Sequence, residues 1–140
     1  MGIEKPSSKT LAPVADEAEA AADVWNAGCP SRRVLELIAN KWALLVIPLL
    51  RGKPLRNNEL LRQVGGISQK MLTQTLRDLE LNGLVLRDDR QTVPPHVEYR
   101  LSALGLSLSK TLLAVDRWAE SNHAAIDRAQ QEARARFQVK

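Results

Sequence analysis

Residues 67–83, with the sequence ISQKMLTQTLRDLELNG, decide the fold of this chain because they form two faces that need different partners. Leu72, Leu76 and Leu79 recur at helical spacing, and Ile67 lies roughly one turn earlier. Apolar side chains at this spacing require a core to pack against. The stretch therefore predicts an amphipathic helix docked on the rest of the chain.

The ends and the opposite face of this helix are also encoded. Ser68 is a favourable N-cap and Gly83 a favourable stop. The opposite face is polar, contains no acidic residue, and carries groups that hydrogen-bond to base edges and phosphates. We interpret it as a DNA recognition helix; the alternative is a solvated surface, which explains the missing acidic residues poorly. With the N-cap, its candidate DNA-binding residues are Ser68, Gln69, Lys70, Thr73, Gln74 and Arg77.

The elements around this helix predict a winged helix-turn-helix. A short helix from Asn57 or Asn58 to Val64, followed by two glycines, gives the helix-turn-helix order. After Gly83 the pattern alternates over residues 97–101, and residues 84–87 form the partner strand, so residues 88–95 become the tip of a wing. The alternative is a surface hairpin made soluble by charge. The wing residues predicted to contact phosphate or the minor groove are Arg87, Arg90 and Gln91.

Two helices are predicted between residues 28 and 51. The first begins at Pro30, since proline is favoured in a first turn. The second is capped by Asn40 and contains Pro48, which should kink it or end it early. The residues expected to face inward are Val34, Leu37 and Ile38 in the first helix, and Trp42, Leu45, Val46 and Leu49 in the second.

A last helix from Ser102 to about Phe137 has an apolar stripe that the chain cannot cover completely. We therefore predict a homodimer, which would place two recognition helices about 34–36 Å apart on a palindromic operator in double-stranded DNA. The predicted interface residues are Leu104, Leu108, Leu112, Val115 and Trp118.

The composition is that of one domain with appendages. The chain has 140 residues, of which 44% are hydrophobic and 4% aromatic, so the fold class is expected to be mainly α with a small β-hairpin wing. The net charge of +4 combines −3 over residues 1–25 with +7 over the rest, which favours a polyanionic partner. We predict an acidic extension over 1–25 with a short helix over 14–25, a DNA-binding domain over 26–102, and a dimerisation helix over 103–140.

The sequence favours a cytoplasmic protein without a metal or other cofactor. Cys29 is the only cysteine, which excludes an intramolecular disulfide and a cysteine-based metal site. His96 and His123 are far apart and have no companion ligands. No signal-peptide pattern is present, and the longest apolar run, residues 43–50, is too short to span a membrane. No catalytic constellation is recognisable, so an enzyme is not expected.

Three stretches resemble the HxlR-type winged helix-turn-helix regulators, which are related to the MarR group. They are CPSRRVLELIANKWALLVIPLL, GISQKMLTQTLRDLELNGLVLR and VPPHVEYRLSALG, and the resemblance extends from Cys29 to about Asn122. It implies a homodimeric bacterial transcription regulator that often answers oxidants or electrophiles. The chain departs from the family pattern at Asn57-Asn58, where many members have an aromatic residue, and at Pro48.

Cys29 is the candidate redox sensor. A thiol before a helix N-terminus, beside Arg32 and Arg33, should have its thiolate stabilised by the helix dipole and the cations. A small helix-start spacer is the alternative, and the resemblance favours sensing. Oxidation would end in an intersubunit disulfide, a mixed disulfide or an alkylated thiol. These features together predict a repressor that is released from DNA when oxidants or electrophiles act at Cys29.

There are two competing hypotheses for the function. One is a regulator that responds to a small-molecule effector in a dimer-interface cavity near Trp42 and Trp118, and the other is a protein-interaction winged helix.

Overall fold

The computed structural model describes residues 22–138. Within the described residues the chain divides into two compact units, a first unit that ends at Asn40 and a second unit that begins at Lys41. The domain boundaries expected from the sequence, after residues 25 and 102, stay predictions. Most of the helix predicted over residues 14–25 lies outside the described residues, and the described part, 22–25, is not helical.

Helix α1, Pro30–Ile38, is the helix described in the first unit, and it begins as predicted. Cys29 occupies the N-cap in an extended conformation, and Pro30 is the first helical residue. The prediction that Val34 faces inward is wrong, because α1 has no buried residue and Val34 is 53% exposed. Leu37 and Ile38 are half-buried. The amphipathic pattern predicted a helix here, but it did not show which of its apolar side chains are covered.

The second unit contains four helices and three short strands within the described residues. The strands form one antiparallel sheet in the order β1-β3-β2, in which Val85 pairs with Leu101 and Leu55 with Tyr99. Strand β1 was not expected from the sequence. In chain order the elements are α2 Lys41–Leu49, β1 Leu55–Arg56, α3 Asn57–Gln63, α4 Gln69–Leu81, β2 Val85–Asp89, β3 Val97–Leu101 and α5 Ala103–Gln138.

Helix α2 packs against α5 with a face different from the predicted one. Its buried residues are Ala43, Val46 and Ile47, whereas Leu45 is 42% exposed. Trp42 and Leu49 are half-buried. Pro48 is tolerated because the helix ends one residue later, as expected for a proline that removes a backbone donor. Apart from α2, the largest fully buried side chains are Leu55, Leu60, Leu72, Leu76, Leu79 and Val85.

The start of α5 is hydrogen-bonded to Leu84, which follows the turn after α4. The backbone N–H of Ser102 donates to the carbonyl of Leu84 at 3.0 Å, and the Ser102 hydroxyl accepts from the N–H of Gly105 at 3.0 Å. Leu112 is only 3% exposed and belongs to the core, so its assignment to a dimer interface is wrong. Leu108 is half-buried. Between residues 22 and 138, no helix is both long and apolar enough to cross a membrane.

Candidate nucleic-acid interface

Both ends of α4 confirm the sequence prediction. The backbone N–H of Met71 donates to Oγ of the N-cap Ser68 at 3.1 Å. Gly66, in the preceding turn, has φ +85°, and Gly83, just after the helix, has φ +75°. Both glycines adopt the left-handed conformation that residues with a Cβ rarely take. The sequence therefore fixes where α4 begins and ends and how the chain enters and leaves it.

The two faces of α4 separate as expected. Leu72, Leu76 and Leu79 are at most 1% exposed. The side chains of Lys70 and Arg77 form no hydrogen bond or ion pair with other residues between 22 and 138, so their charges are available to a partner. The five non-cap residues proposed for DNA contact are all exposed, namely Gln69, Lys70, Thr73, Gln74 and Arg77.

A hydrogen-bond network joins the first turns of α3 and α4. Asn57 Nδ2 donates to Gln69 Oε1 at 2.8 Å, and Gln69 Nε2 donates to Asn57 Oδ1 at 3.1 Å. Gln69 Nε2 also donates to Thr73 Oγ1 at 3.0 Å. One turn further, Gln74 Nε2 donates to Asp78 Oδ1 at 2.9 Å. The sequence gave the members of the polar face, but it did not reveal these bonds or the part played by Asn57.

The wing carries its arginines beside carboxylates. Arg87 Nη1 lies 3.5 Å from Asp89 Oδ2, and a hydrogen bond with Tyr99 is the main cause that raises the pKa of Arg87. Gln91 lies at the tip with φ +53°, and its backbone N–H donates to Asp89 Oδ1 at 2.9 Å. The hairpin was expected, but its tip runs over residues 90–96, slightly later than the predicted 88–95.

Glu98 is the centre of a second charged cluster, at the end of the wing strands next to the tip. Its Oε1 lies 3.1 Å from Arg90 Nη2, and its Oε2 lies 2.9 Å from His96 Nε2. The hydrogen bond from His96, with the positive charge of Arg90, lowers the pKa of Glu98. Arg56 Nη2 donates to the carbonyl of Pro95 at 3.3 Å. His96 is half-buried, and its pairing with Glu98 was not expected from the sequence.

Cys29 has a perturbed thiol, although the cause differs from the one expected. The backbone N–H of Asp23 donates to Cys29 Sγ at 3.3 Å, and Ser31 Oγ lies 3.1 Å from the same sulfur. The hydrogen bond from Asp23 is the largest cause that lowers the pKa of Cys29, and the contact with the Ser31 hydroxyl is the second largest. The guanidinium of Arg32 instead donates to the carbonyl of Val24 at 3.4 Å. Hydrogen bonds rather than neighbouring cations therefore stabilise the thiolate.

A groove of about 610 Å³ lies in the second unit between α2, the turn before α4, and α5. Its walls include Leu45, Val64 and Leu113, and Asp116 lies at its edge. Burial, with a smaller effect of nearby Glu120, raises the pKa of Asp116. Neither tryptophan expected at a cavity, Trp42 or Trp118, lines this groove. Within residues 22–138, no group of three or more histidine, cysteine, aspartate or glutamate side chains is arranged to bind a metal.

A helix-turn-helix with an attached wing is the arrangement found in the family whose model matches residues 37–127, described as HxlR-like helix-turn-helix. The chain belongs to the HxlR-like helix-turn-helix family. It is therefore a DNA-binding transcriptional regulator of the winged helix-turn-helix type, related to the MarR group. The matched residues include α4 and the wing, but they begin after Cys29, so the match does not bear on the thiol.

Individual proteins agree with this assignment. The HTH-type transcriptional regulator YtfH of Escherichia coli (strain K12) is 43% identical over 94 residues, which cover 67% of this chain and 75% of that protein. The structure of the regulator YtfH from Salmonella typhimurium is similar with a TM-score of 0.72 and 39% identity, covering 79% of this chain and 98% of that one. The redox regulator HypR in its reduced form gives a TM-score of 0.65 and 35% identity, covering 71% and 98%.

Proposed function

We propose that the protein is a homodimeric repressor that binds a palindromic operator and is released when oxidants or electrophiles modify Cys29. The observation that carries this proposal is the half-buried Cys29 thiol, whose thiolate is stabilised by the N–H of Asp23 and the hydroxyl of Ser31. The thiolate is the reactive form of cysteine. A redox regulator, HypR, is among the proteins of similar structure, which supports the same chemistry here.

The dimer is supported by large apolar side chains that stay exposed among residues 22–138. On α1, Val34 and Leu35 are 53% and 47% exposed. On α5, Val115 and Trp118 are 46% and 60% exposed, and Leu104 is 41% exposed. Exposed apolar side chains of this size, such as Val115 and Trp118 one turn apart on α5, favour a self-complementary interface. Two copies of α4, one from each subunit, then read the two halves of the operator.

The proposed switch follows the chemistry of a single thiol per subunit. When a two-electron oxidant accepts two electrons and two protons from a pair of Cys29 thiols, one from each subunit, an intersubunit disulfide forms. A mixed disulfide with a small thiol or an alkylated sulfur are the other possible products. Each product changes the environment of α1. A change of a few Å in the spacing of the two recognition helices is enough to lose one half-site.

The test is a mobility-shift titration with DNA from upstream of the protein's own gene. The reduced wild type should bind, and treatment with a quinone or hypochlorite should release it, while Cys29→Ser should bind and stay bound. Mass spectrometry of the treated protein should show modification at Cys29 and identify the product. If treated Cys29→Ser releases the DNA as the wild type does, the thiol is not the switch.

The homodimer is tested separately. Trp118→Glu and Val115→Glu should give the sedimentation mass of one chain, because a charge in an apolar interface is costly to desolvate. Lys110→Glu, on an exposed position of the same helix, is the matched control and should leave the dimer intact. If both variants remain dimers, the interface does not include these residues.

A second candidate signal is a small molecule bound in the groove between α2 and α5. The observation that favours it is an apolar concavity of about 610 Å³ with a partly buried carboxyl, Asp116, at its edge. Such a concavity is the usual form of a ligand site. Leu113→Trp would fill the groove. It should abolish release by an effector of this kind, while leaving release by oxidants unchanged.

A further inference from the structure

Asn57 and Gln69 are the first residues of the two helices of the helix-turn-helix, and their carboxamides form a reciprocal pair. The hydroxyl of Thr73, one turn along α4, accepts a further bond from Gln69. Gln69 and Thr73 are exposed, and Asn57 is half-buried. The three side chains therefore form a connected network on the surface assigned to DNA.

This network uses most of the hydrogen-bonding capacity of Gln69. A carboxamide has two N–H donors and two acceptor lone pairs. Gln69 Nε2 gives one N–H to Asn57 and the other to Thr73, while Oε1 accepts from Asn57. The remaining capacity of Gln69 is one lone pair on Oε1. In this arrangement Gln69 can accept a hydrogen bond from a partner but cannot donate one.

The restriction has a direct consequence for base recognition. A free glutamine contacts adenine with two bonds, in which it donates to N7 and accepts from the N6 amino group. A glutamine that can only accept is limited to base edges that donate in the major groove. These edges are the N6 amino group of adenine and the N4 amino group of cytosine. Guanine and thymine present only acceptors at the corresponding positions.

We infer that Asn57 is a specificity-determining positioning residue, which with Thr73 holds Gln69 as a pure acceptor that selects adenine or cytosine at the base it faces. The inference rests on the proposed placement of α4 in the major groove, where the first residues of a recognition helix reach base edges. Asn57 acts through Gln69 rather than by its own contact. Without Asn57, the carboxamide of Gln69 turns freely and can also donate to guanine or thymine.

The experiment selects binding sites from a randomised duplex library and sequences them, using the full-length reduced protein. Gln69→Ala first identifies the base position that Gln69 reads, because preference is lost there. At that position the wild type should favour adenine or cytosine. Asn57→Leu, which keeps the size of the side chain but has no polar atom, should lower that preference by roughly fivefold, the discrimination expected from one hydrogen bond. Preferences at all other positions should stay the same.

Asn58→Leu is the matched control, because Asn58 is the adjacent asparagine, is exposed, and its side chain has no hydrogen bond within residues 22–138. It should retain the wild-type preference. Asn57→Ala is measured alongside, because it removes the same carboxamide without introducing a leucine side chain that could pack differently. The double variant Asn57→Leu/Gln69→Ala should match Gln69→Ala alone, since interacting residues are not additive.

Three results would overturn the inference while leaving the proposed function intact. They are a wild-type preference for guanine or thymine at the Gln69 position, an unchanged profile in both Asn57 variants, and a further loss in the double variant beyond Gln69→Ala. A purely structural role for Asn57 would weaken binding evenly and leave the base profile unchanged. A wild-type protein that selects no sequence at all would overturn the proposed function together with this inference.

Discussion

Arg90 Nη2 lies 3.1 Å from Glu98 Oε1, so the arginine nearest the tip of the wing is paired with a carboxylate on strand β3. The Arg90 side chain is 51% exposed and that of Glu98 is 23% exposed. The Arg90 side chain therefore remains accessible to a phosphate, but the positive charge that a phosphate would meet is reduced by Glu98. The same carboxylate also accepts from His96, which fixes it near the tip of the wing.

Glu98→Gln should increase DNA affinity, because it removes the negative charge that competes with phosphate for Arg90. Each phosphate neutralised adds about one unit to the slope of log affinity against log salt concentration, so this slope should steepen by about 1. Titrations at several salt concentrations measure it. Glu132→Gln makes the same change in net charge at an exposed position of α5 and should leave the slope unchanged.

The lowered pKa of Glu98 predicts a pH dependence of stability. In the folded state, hydrogen bonding from His96 and the charge of Arg90 lower the pKa of Glu98 below its ordinary value of 4.5. A group of this kind contributes its stability above the unfolded pKa, and the contribution is lost as pH falls through the folded pKa. Urea unfolding should therefore show the wild type losing stability more steeply than Glu98→Gln on acidification below about pH 4.5. If the free energies of unfolding of the two proteins changed in parallel with pH, this role of the Glu98 carboxylate would be contradicted.

Gln74 and Arg77 should differ in what they contribute to binding. Gln74 gives one N–H to Asp78 and keeps an N–H and its oxygen for a base, so Gln74→Ala should lower sequence discrimination about tenfold. Arg77 has no partner among residues 22–138 and suits a phosphate. Arg77→Ala should weaken binding to all sequences and flatten the salt slope by about 1. Titrations with specific and unrelated duplexes at two salt concentrations separate the two effects; unchanged operator affinity in both variants would contradict them.

Ser31→Ala should raise the pKa of Cys29 towards its ordinary value of 9.0, because the Ser31 hydroxyl is the second largest cause of the lowering. The bond from the Asp23 N–H, which is the largest cause, stays in place. The pH midpoint of alkylation by iodoacetamide should move upwards in Ser31→Ala. Ser31→Thr keeps the hydroxyl and should behave as the wild type, and an equal shift in both variants would point to a change in helix capping.

The sequence predicted those parts of the fold that depend on local pattern. The caps of α4, the turn before it and the hairpin follow from Ser68, from Gly66 and Gly83, and from the alternation over residues 97–101. The buried face of α2 was misplaced because residues 42–50 are apolar throughout, and a uniform run does not specify a face. Strand β1 was missed because two residues are too few to show alternation.

The missing parts of the site are contacts between side chains that are distant in sequence. Asn57 and Gln69 are separated by 12 positions, and the turn geometry rather than either residue brings them together. The pairing of Arg90 with Glu98 depends on the register of β2 and β3, which local sequence does not fix. For Leu112 the apolar stripe was real, but a stripe cannot distinguish a core of the same chain from a partner subunit.

Gly105→Ala should destabilise the second unit, because a Cβ at Gly105 would collide with the backbone carbonyl oxygen of Leu84. That oxygen accepts from the backbone N–H of Ser102, so it cannot move away without breaking the bond that fixes the start of α5. Overpacking of this kind costs about 1–3 kcal/mol, and the better helix propensity of alanine offsets only part of it. Urea unfolding measures the loss.

Gly52→Ala is the control for this substitution, because nothing lies within 4 Å of the position of its Cβ. It should change the free energy of unfolding by no more than about 0.5 kcal/mol. If Gly105→Ala is as stable as Gly52→Ala, the backbone of α5 does not approach Leu84 closely enough to exclude a Cβ. We expect the loss of stability to be confined to Gly105→Ala. If this variant also binds the operator more weakly at the same protein concentration, the contact between α5 and Leu84 holds α4 and α5 in the arrangement that DNA binding requires.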